Sequence, residues 1–491
     1  MDLKQRKLTK SEWDGIEIPV SKNELEVLGL IIKGFNNVHI KINKADSIFT
    51  NLKIEYNTQI EEYLYSKFFS EKVKKLVTEN NVKFIRFGNN NKKQKNLQDI
   101  NSSNEIYCIN VDGIVRLKSS DQIRLSRLNT TTIDNNDNIY EFVLYNILEK
   151  MVNYKSENNK KWVYYYYTLR KMIKNNVEKV NRFIKEIVNI FLINYESDID
   201  LLYILHNSSE IIEKNPNILK YSDLTLYEHQ KEIYTSIRSK MPKLILYIAP
   251  TGTGKTLTPL GISEKYKVIF VCAARHVGLA LARSAISINK KIAFAFGCSA
   301  AEDVRLHYFA AKEYTKDKRS GGIRKVDNTI GDKVEIIICD IRSYLPAMYY
   351  MASFNDINDI VTYWDEPTIT MDYTNHDLHN VIKKNWKLNI IPNFVLSSAT
   401  LPKLHELTET IADFKFKFRN GNVINIVSHD CRKTIPLINN NGFVIMPHYL
   451  FDDYNKILEC VSHCEDNLTL LRYFDLSEAS KFIYYVETNN H

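Results

Sequence analysis

The residues from Lys243 to Thr256 read Lys-Leu-Ile-Leu-Tyr-Ile-Ala-Pro-Thr-Gly-Thr-Gly-Lys-Thr, an apolar run that breaks into a glycine-bearing turn and ends on a lysine-threonine pair. Such a stretch can hold phosphate. Glycines at Gly252 and Gly254 let successive backbone N–H groups turn inward toward phosphate oxygens, and the start of the following helix adds partial positive charge. A lysine placed as Lys255 is reaches the β- and γ-phosphates of a nucleotide, and a hydroxyl placed as Thr256 is ligates Mg²⁺. Ala249, Pro250, Thr251, Gly252, Thr253, Gly254, Lys255 and Thr256 are therefore the expected nucleotide-binding residues. Pro259 is compatible with a helix that starts here, because the first N–H groups of a helix have no intrahelical partner.

Two further stretches follow apolar runs of buried-strand type. Ile360 to Trp364 ends in Asp365-Glu366, and the strand-like Asn393 to Leu396 leads to Ser398-Ala399-Thr400. In a parallel sheet the C-terminal ends of the strands share one edge, so these groups are expected to face the glycine turn. Asp365 is suited to hold Mg²⁺, and Glu366 to orient or deprotonate an attacking water. At this point the chain resembles the superfamily 2 helicases, the DEAD/DEAH-related group. Ala249 to Thr256 is similar to their motif I (the Walker A loop), Asp365-Glu366 to motif II (the DExx motif) and Ser398-Ala399-Thr400 to motif III. Two weaker matches accompany them. Gln230 sits where the family often reads the adenine edge, which a side-chain amide can do as both donor and acceptor. Arg275 and Arg342 follow strand-like runs where the family contacts the nucleic-acid backbone; either has a structural salt bridge as its alternative role.

The resemblance spans roughly Leu224 to Pro402. It implies a RecA-like P-loop NTPase fold with a parallel sheet, ATP and Mg²⁺ as cofactors, nucleic acid (DNA or RNA) as partner, and helicase-type ATP hydrolysis with Lys255, Asp365 and Glu366 as catalytic residues. Ser398, Ala399 and Thr400 would couple nucleotide state to movement. The family closes its site with a second RecA-like domain carrying a Gln-x-x-Gly-Arg-x-Gly-Arg type motif. No such stretch follows Pro402, so that motor domain is expected either from a second chain as partner or as a homologous domain lost by truncation. The competing readings are a nucleotide-binding but weakly catalytic regulatory subunit, and another P-loop enzyme such as a small-molecule kinase.

The elements that must position these residues divide the chain. From Leu226 onward apolar strands alternate with helical stretches, as in a parallel sheet. The expected strands are Leu244 to Ile248, Val268 to Cys272, Lys291 to Phe296, Val334 to Cys339, Ile360 to Trp364 and Asn393 to Leu396, with a helix over Gly278 to Ile288. Upstream, Ser21 and Glu24 form a capping-box pattern that opens an amphipathic helix ending near Gly34. A strand is expected around His39 to Ile42, a helix over Gln59 to Thr78, a strand over Val82 to Phe87, and a hairpin from Glu105 to Lys118 turning at Asp112-Gly113. Asn129 to Asn138 is the linker candidate, and the pattern from Tyr140 to about Lys220 is helical. The expected division is thus a mixed α/β region over 1–128, a helical region over 139–220, a RecA-like domain over 221–405 and a small α+β appendage over 406–491.

Composition sets wider limits. The chain has 491 residues, 44% of them hydrophobic, and a formal net charge of +8, which permits nucleic-acid binding without requiring it. No apolar run reaches membrane-spanning length and no apolar segment follows the basic residues at the start, so a soluble intracellular protein without membrane partners is expected. The seven scattered cysteines fit reduced thiols better than a disulfide framework. His429, Cys431, His448, Cys460, His463 and Cys464 follow no standard zinc spacing. The tyrosine run Tyr164 to Tyr167 reads as a partly buried helix face, with base stacking as its alternative. The basic stretches Lys4 to Lys10 and Lys316 to Lys325 read as a solvated tail and a solvated loop.

Overall fold

The computed structural model describes residues 6–80, 139–316, 323–368, 370, 373–428 and, beyond these, 437–438, 444–445, 453–455, 458–459, 462 and 476–489. The expected strand over Val82 to Phe87, the Glu105 to Lys118 hairpin, the Asn129 to Asn138 linker and the six Cys/His positions all lie outside the described residues. Two compact units form: Met1–Lys41 with Leu224–Lys433, and Ile42–Asp223 with Thr434–His491.

The first unit is α/β, and among its described residues the main sheet has eight strands: β1 (Lys243–Ile248), β2 (Lys267–Cys272), β3 (Ile292–Ala295), β4 (Arg305–Leu306), β5 (Ile336–Asp340), β6 (Ile360–Asp365), β7 (Asn393–Ser398) and β8 (Asn422–Val427). Their order across the sheet is β8-β1-β7-β6-β2-β5-β3-β4. All neighbours are parallel except β3 and β4. The interior strands are continuous apolar runs because both faces are covered, as parallel sheets require; β2, β5 and β6 have almost no exposed residue. The helices of this unit are α1 (Lys10–Ile16), α2 (Lys22–Asn36), α3 (Glu228–Ile237), α4 (Thr258–Ile262), α5 (Arg275–Ser287), α6 (Tyr344–Ala352), α7 (Asp377–Leu388) and α8 (Thr408–Lys417).

Two features of this unit depart from the sequence reading. Asn422–Val427, expected in a separate appendage, pairs along its whole length with β1 and so joins the main sheet. Its half-polar pattern suits an edge strand with one neighbour, and that pattern carries no indication of which sheet it edges. The first forty residues also belong here. Ser21 caps α2 as its pattern predicts, accepting from the Glu24 N–H, and α2 packs on α4 so closely that a Cβ on Gly261 would meet the Ile31 carbonyl at 2.9 Å.

The second unit is mainly helical. Tyr140–Ser156, Trp162–Met172 and Arg182–Tyr195 enclose an apolar core. The single helix expected over Gln59 to Thr78 is two, Thr58–Phe68 and Ser70–Asn80. The break falls at the buried Phe69, whose φ of −124° leaves helical geometry, and it lets Phe68 and Phe69 both pack on Phe142. In the tyrosine run, Tyr166 is buried and Tyr165 stacks on Tyr154, so these rings serve the helix packing. Glu141 is fully buried and accepts from the N–H groups of Ile48 and Asn181. Burial pushes its carboxyl up to about 7, against the opposing pull of those hydrogen bonds.

Candidate functional site

Strand register brings the chemistry-bearing residues to one level. Ile248 pairs with Ser398, Ser397 with Asp365, Asp365 with Cys272 and Cys272 with Asp340. The loop after β1, the acidic pair after β6 and the Ser-Ala-Thr turn after β7 therefore leave the sheet side by side.

Each turn has a local cause. After β1 the apolar run ends at the buried Ala249, whose N–H donates to the Ser398 carbonyl at 3.3 Å. Gly252 and Gly254 take φ values of +86° and +81°, the left-handed region in which a side chain is strained. Thr253 closes the turn by donating its hydroxyl to the Pro250 carbonyl. Lys255–Leu257 then forms one 3-10 turn before α4, with Pro259 in the first turn of α4, where its missing N–H removes nothing. Thr256 is half-buried, and Thr251 and Gly252 are exposed.

Lys255 is buried, and its Nζ lies 3.3 Å from Glu366 Oε1. Glu366 takes φ +51°, unusual for a residue with a side chain. Its N–H donates to the Ser397 carbonyl at 2.7 Å, and its other carboxylate oxygen accepts from Ser398 Oγ at 2.5 Å. Ser398 Oγ in turn accepts from the Thr400 N–H. The three turns are thus joined by one polar chain: lysine, glutamate, serine. Behind it, Tyr363 is buried between the same elements, donating its hydroxyl to the Lys255 carbonyl at 2.9 Å and lying 3.0 Å from Ser397 Oγ.

Asp365 is buried at 6% exposure. Burial first, and then the neighbouring Glu366 carboxylate, push its carboxyl up to about 7, with Lys255 pulling the other way. A buried carboxylate of this kind is one that a cation would return to its charged form. Among the described residues no group of three or more His, Cys, Asp or Glu side chains is placed to hold a metal ion. Mg²⁺ does not need one, since it commonly keeps its waters and takes one or two protein oxygens beside substrate phosphates. Thr256 and Asp365 fit that requirement in donor type.

The remaining candidates are placed as follows. Gln230 is buried on α3, where its Oε1 accepts from the Tyr227 N–H and its Nε2 reaches the Gly254 carbonyl at 3.5 Å. It braces the glycine loop against the start of α3. Arg342 is exposed in the turn after β5. Arg275, the first residue of α5, is held by Glu12 and by the carbonyls of Arg6 and Lys7. The structural salt bridge is the role realised here, and the described part of the basic tail, residues 6–10, is an ordered partner of the sheet edge.

Sequence reading missed Tyr363, the arm that holds Arg275, and the buried pair of His229 Nδ1 and Tyr247 Oη, 2.5 Å apart beneath the loop. For Tyr363 a signal existed: it is two residues before Asp365 on the same strand, so both side chains emerge on one face. Glu12 lies far away in sequence and had none.

No protein-family model and no curated protein matches the sequence. Fold and site together define an α/β protein with a large, mostly parallel sheet flanked by helices, compatible with a RecA-like arrangement, whose polar residues gather at the strand C-termini. Among the described residues no helix is long and apolar enough to cross a membrane.

Proposed function

We propose that the chain is a nucleic-acid-dependent ATPase of superfamily 2 helicase type. The observation that carries this reading is the Lys255-Glu366-Ser398 chain, which ties the three motif-bearing turns together at adjacent strand ends. In this reading Lys255 leaves Glu366 to take the β- and γ-phosphates of ATP, and the released carboxylate orients the attacking water. Thr256 and Asp365 hold Mg²⁺, which supplies charge neutralisation at the phosphates. Ser398 registers the change at Glu366 through its hydrogen bond and passes it to the Thr400 turn. Gln230 braces Gly254 at the adenine end.

The test is steady-state ATP hydrolysis by the purified chain with and without single-stranded and duplex DNA and RNA. Hydrolysis that depends on Mg²⁺, rises with one of these polymers and is lost in Lys255→Ala supports the reading. Nucleotide binding without turnover under every condition favours the regulatory-subunit alternative, and phosphoryl transfer to a small molecule favours the kinase.

A further inference from the structure

The segment from Arg6 to Val20 lies along the edge of the first unit, and its two halves are attached by different forces. The distal half is fixed by packing. Trp13 meets the Phe294 ring edge-on at 5.0 Å, Ile16 and Val20 are buried, Glu17 pairs with His307, and Arg283 donates to the carbonyls of Ile18 and Pro19. The proximal half has no fully buried residue, and its hydrogen bonds and ion pairs tie it to the sheet. Most of these converge on Arg275: Nε to Glu12 Oε1 at 2.6 Å, Nη2 to Glu12 Oε2 at 2.9 Å and to the Lys7 carbonyl at 3.2 Å, and Nη1 to the Arg6 carbonyl at 2.6 Å. All but one of the guanidinium N–H groups are engaged. The backbone of Arg6 and Lys7 also lies so close over Gly297, at φ +61°, that a Cβ there would sit 2.9 Å from Arg6. Lys7 completes the attachment through Asp303 at 2.6 Å.

Arg275 stands immediately after β2, on the edge that carries Asp365 and the glycine loop. Its present acceptors, a carboxylate and two carbonyls, are the kind of oxygen set that a nucleic-acid backbone would present. We propose that residues Arg6 to Glu12 are a latch that occupies Arg275 in place of a phosphodiester, so that the nucleic-acid backbone and the arm compete for one guanidinium. This rests on the nucleic-acid ATPase reading. Because no residue of the proximal half is fully buried whereas Ile16 and Val20 are, it can lift while Trp13, Ile16 and Val20 stay in place. The arm thereby sets a threshold for nucleic-acid engagement.

The experiment measures binding of fluorescent oligothymidylate and oligouridylate by anisotropy, for wild type, Glu12→Gln and Glu12→Gln/Arg275→Ala, across a salt series. Glutamine keeps an oxygen for the Thr9 N–H that Glu12 now accepts but removes the charge that holds Arg275. Glu12→Gln is expected to bind roughly tenfold more tightly, with a salt slope steeper by about one phosphate contact, and the added Arg275→Ala should abolish both gains. In wild type, hydrogen exchange of the amides of residues 6–12 should accelerate when the oligonucleotide binds, while residues 16–20 stay protected. Equal affinity in wild type and Glu12→Gln, with residues 6–12 still protected in the complex, overturns the latch and leaves the nucleic-acid reading standing. No binding by any of the three proteins removes the nucleic-acid partner, and the latch falls with it.

Discussion

Replacing Tyr363 by phenylalanine removes a single oxygen from the centre of the site and leaves the ring stacked on Phe270. That oxygen donates to the Lys255 carbonyl and partners Ser397 Oγ. The carbonyl keeps a second donor, the Thr258 N–H, so its loss is partial. Ser397 is fully buried, and its hydroxyl would be left facing an aromatic C–H. With the retained donor making the loss at the carbonyl small, the main term for Tyr363→Phe is the unsatisfied buried hydroxyl, about 1–3 kcal/mol. This corresponds to a drop of roughly five- to 150-fold in the equilibrium between closed and open states. Amide hydrogen exchange reads it locally: protection should fall by that factor in β1, β7 and the 249–256 loop, and remain near wild type in the helices of the second unit. Protection changed by less than twofold in β1 and β7 would refute the claim that the hydroxyl joins the loop to the sheet.

Two other outcomes follow from the proposed ATPase reading and a third from the packing of the second unit. Lys255→Ala should abolish or severely weaken ATP binding, because the phosphate charge loses its only buried cation in the loop; titration calorimetry showing unchanged affinity removes Lys255 from the site. Glu366→Gln keeps the shape of the side chain but not its charge, so nucleotide should still bind while turnover falls by roughly a hundredfold or more; equal turnover removes Glu366 from the reaction. Glu141 tests the second unit. Its carboxyl is raised from 4.5 to about 7, so the native state holds a proton that the unfolded chain has released, and stability falls as pH rises through that window. Glu141→Gln does not titrate, so its stability relative to wild type should increase from pH 4.5 to 7 and level off above, by up to about 3 kcal/mol. A relative stability that is flat across that range refutes the assignment.

The interior strands were legible because burial on both faces forces continuous apolar runs, and β1, β2, β3, β5, β6 and β7 lie within a residue or two of the expected limits. The glycine loop was legible because Gly252 and Gly254 at positive φ are a local necessity. What local pattern cannot carry is pairing. β8 has a readable strand pattern, yet its neighbour β1 lies far upstream, and no property of Asn422–Val427 names that partner. The arm was misread for a related reason. A run of lysines and arginines describes side chains that prefer water, but here the backbone carbonyls of Arg6 and Lys7 meet Arg275 beside the Lys7–Asp303 and Glu12–Arg275 pairs, and carbonyls are the same in every sequence. Gln230 shows the intermediate case: its residue type suited a hydrogen-bonding role, while the partners it has here are the Tyr227 N–H and the Gly254 carbonyl.

The position of β8 bears on how the protein can be cut. Strand β1, which launches the glycine loop, is an interior strand only because β8 lies along its outer side, register for register from Asn422 against Lys243 to Val427 against Ile248. A fragment ending at residue 405 contains every motif and yet strips β1 of one of its two hydrogen-bonded neighbours. It would expose a row of unpaired amides and carbonyls directly beneath the loop, the usual seed of edge-to-edge association. The smallest piece that keeps the loop on a closed support therefore extends through Val427, and a shorter one is expected to aggregate before its chemistry can be assayed.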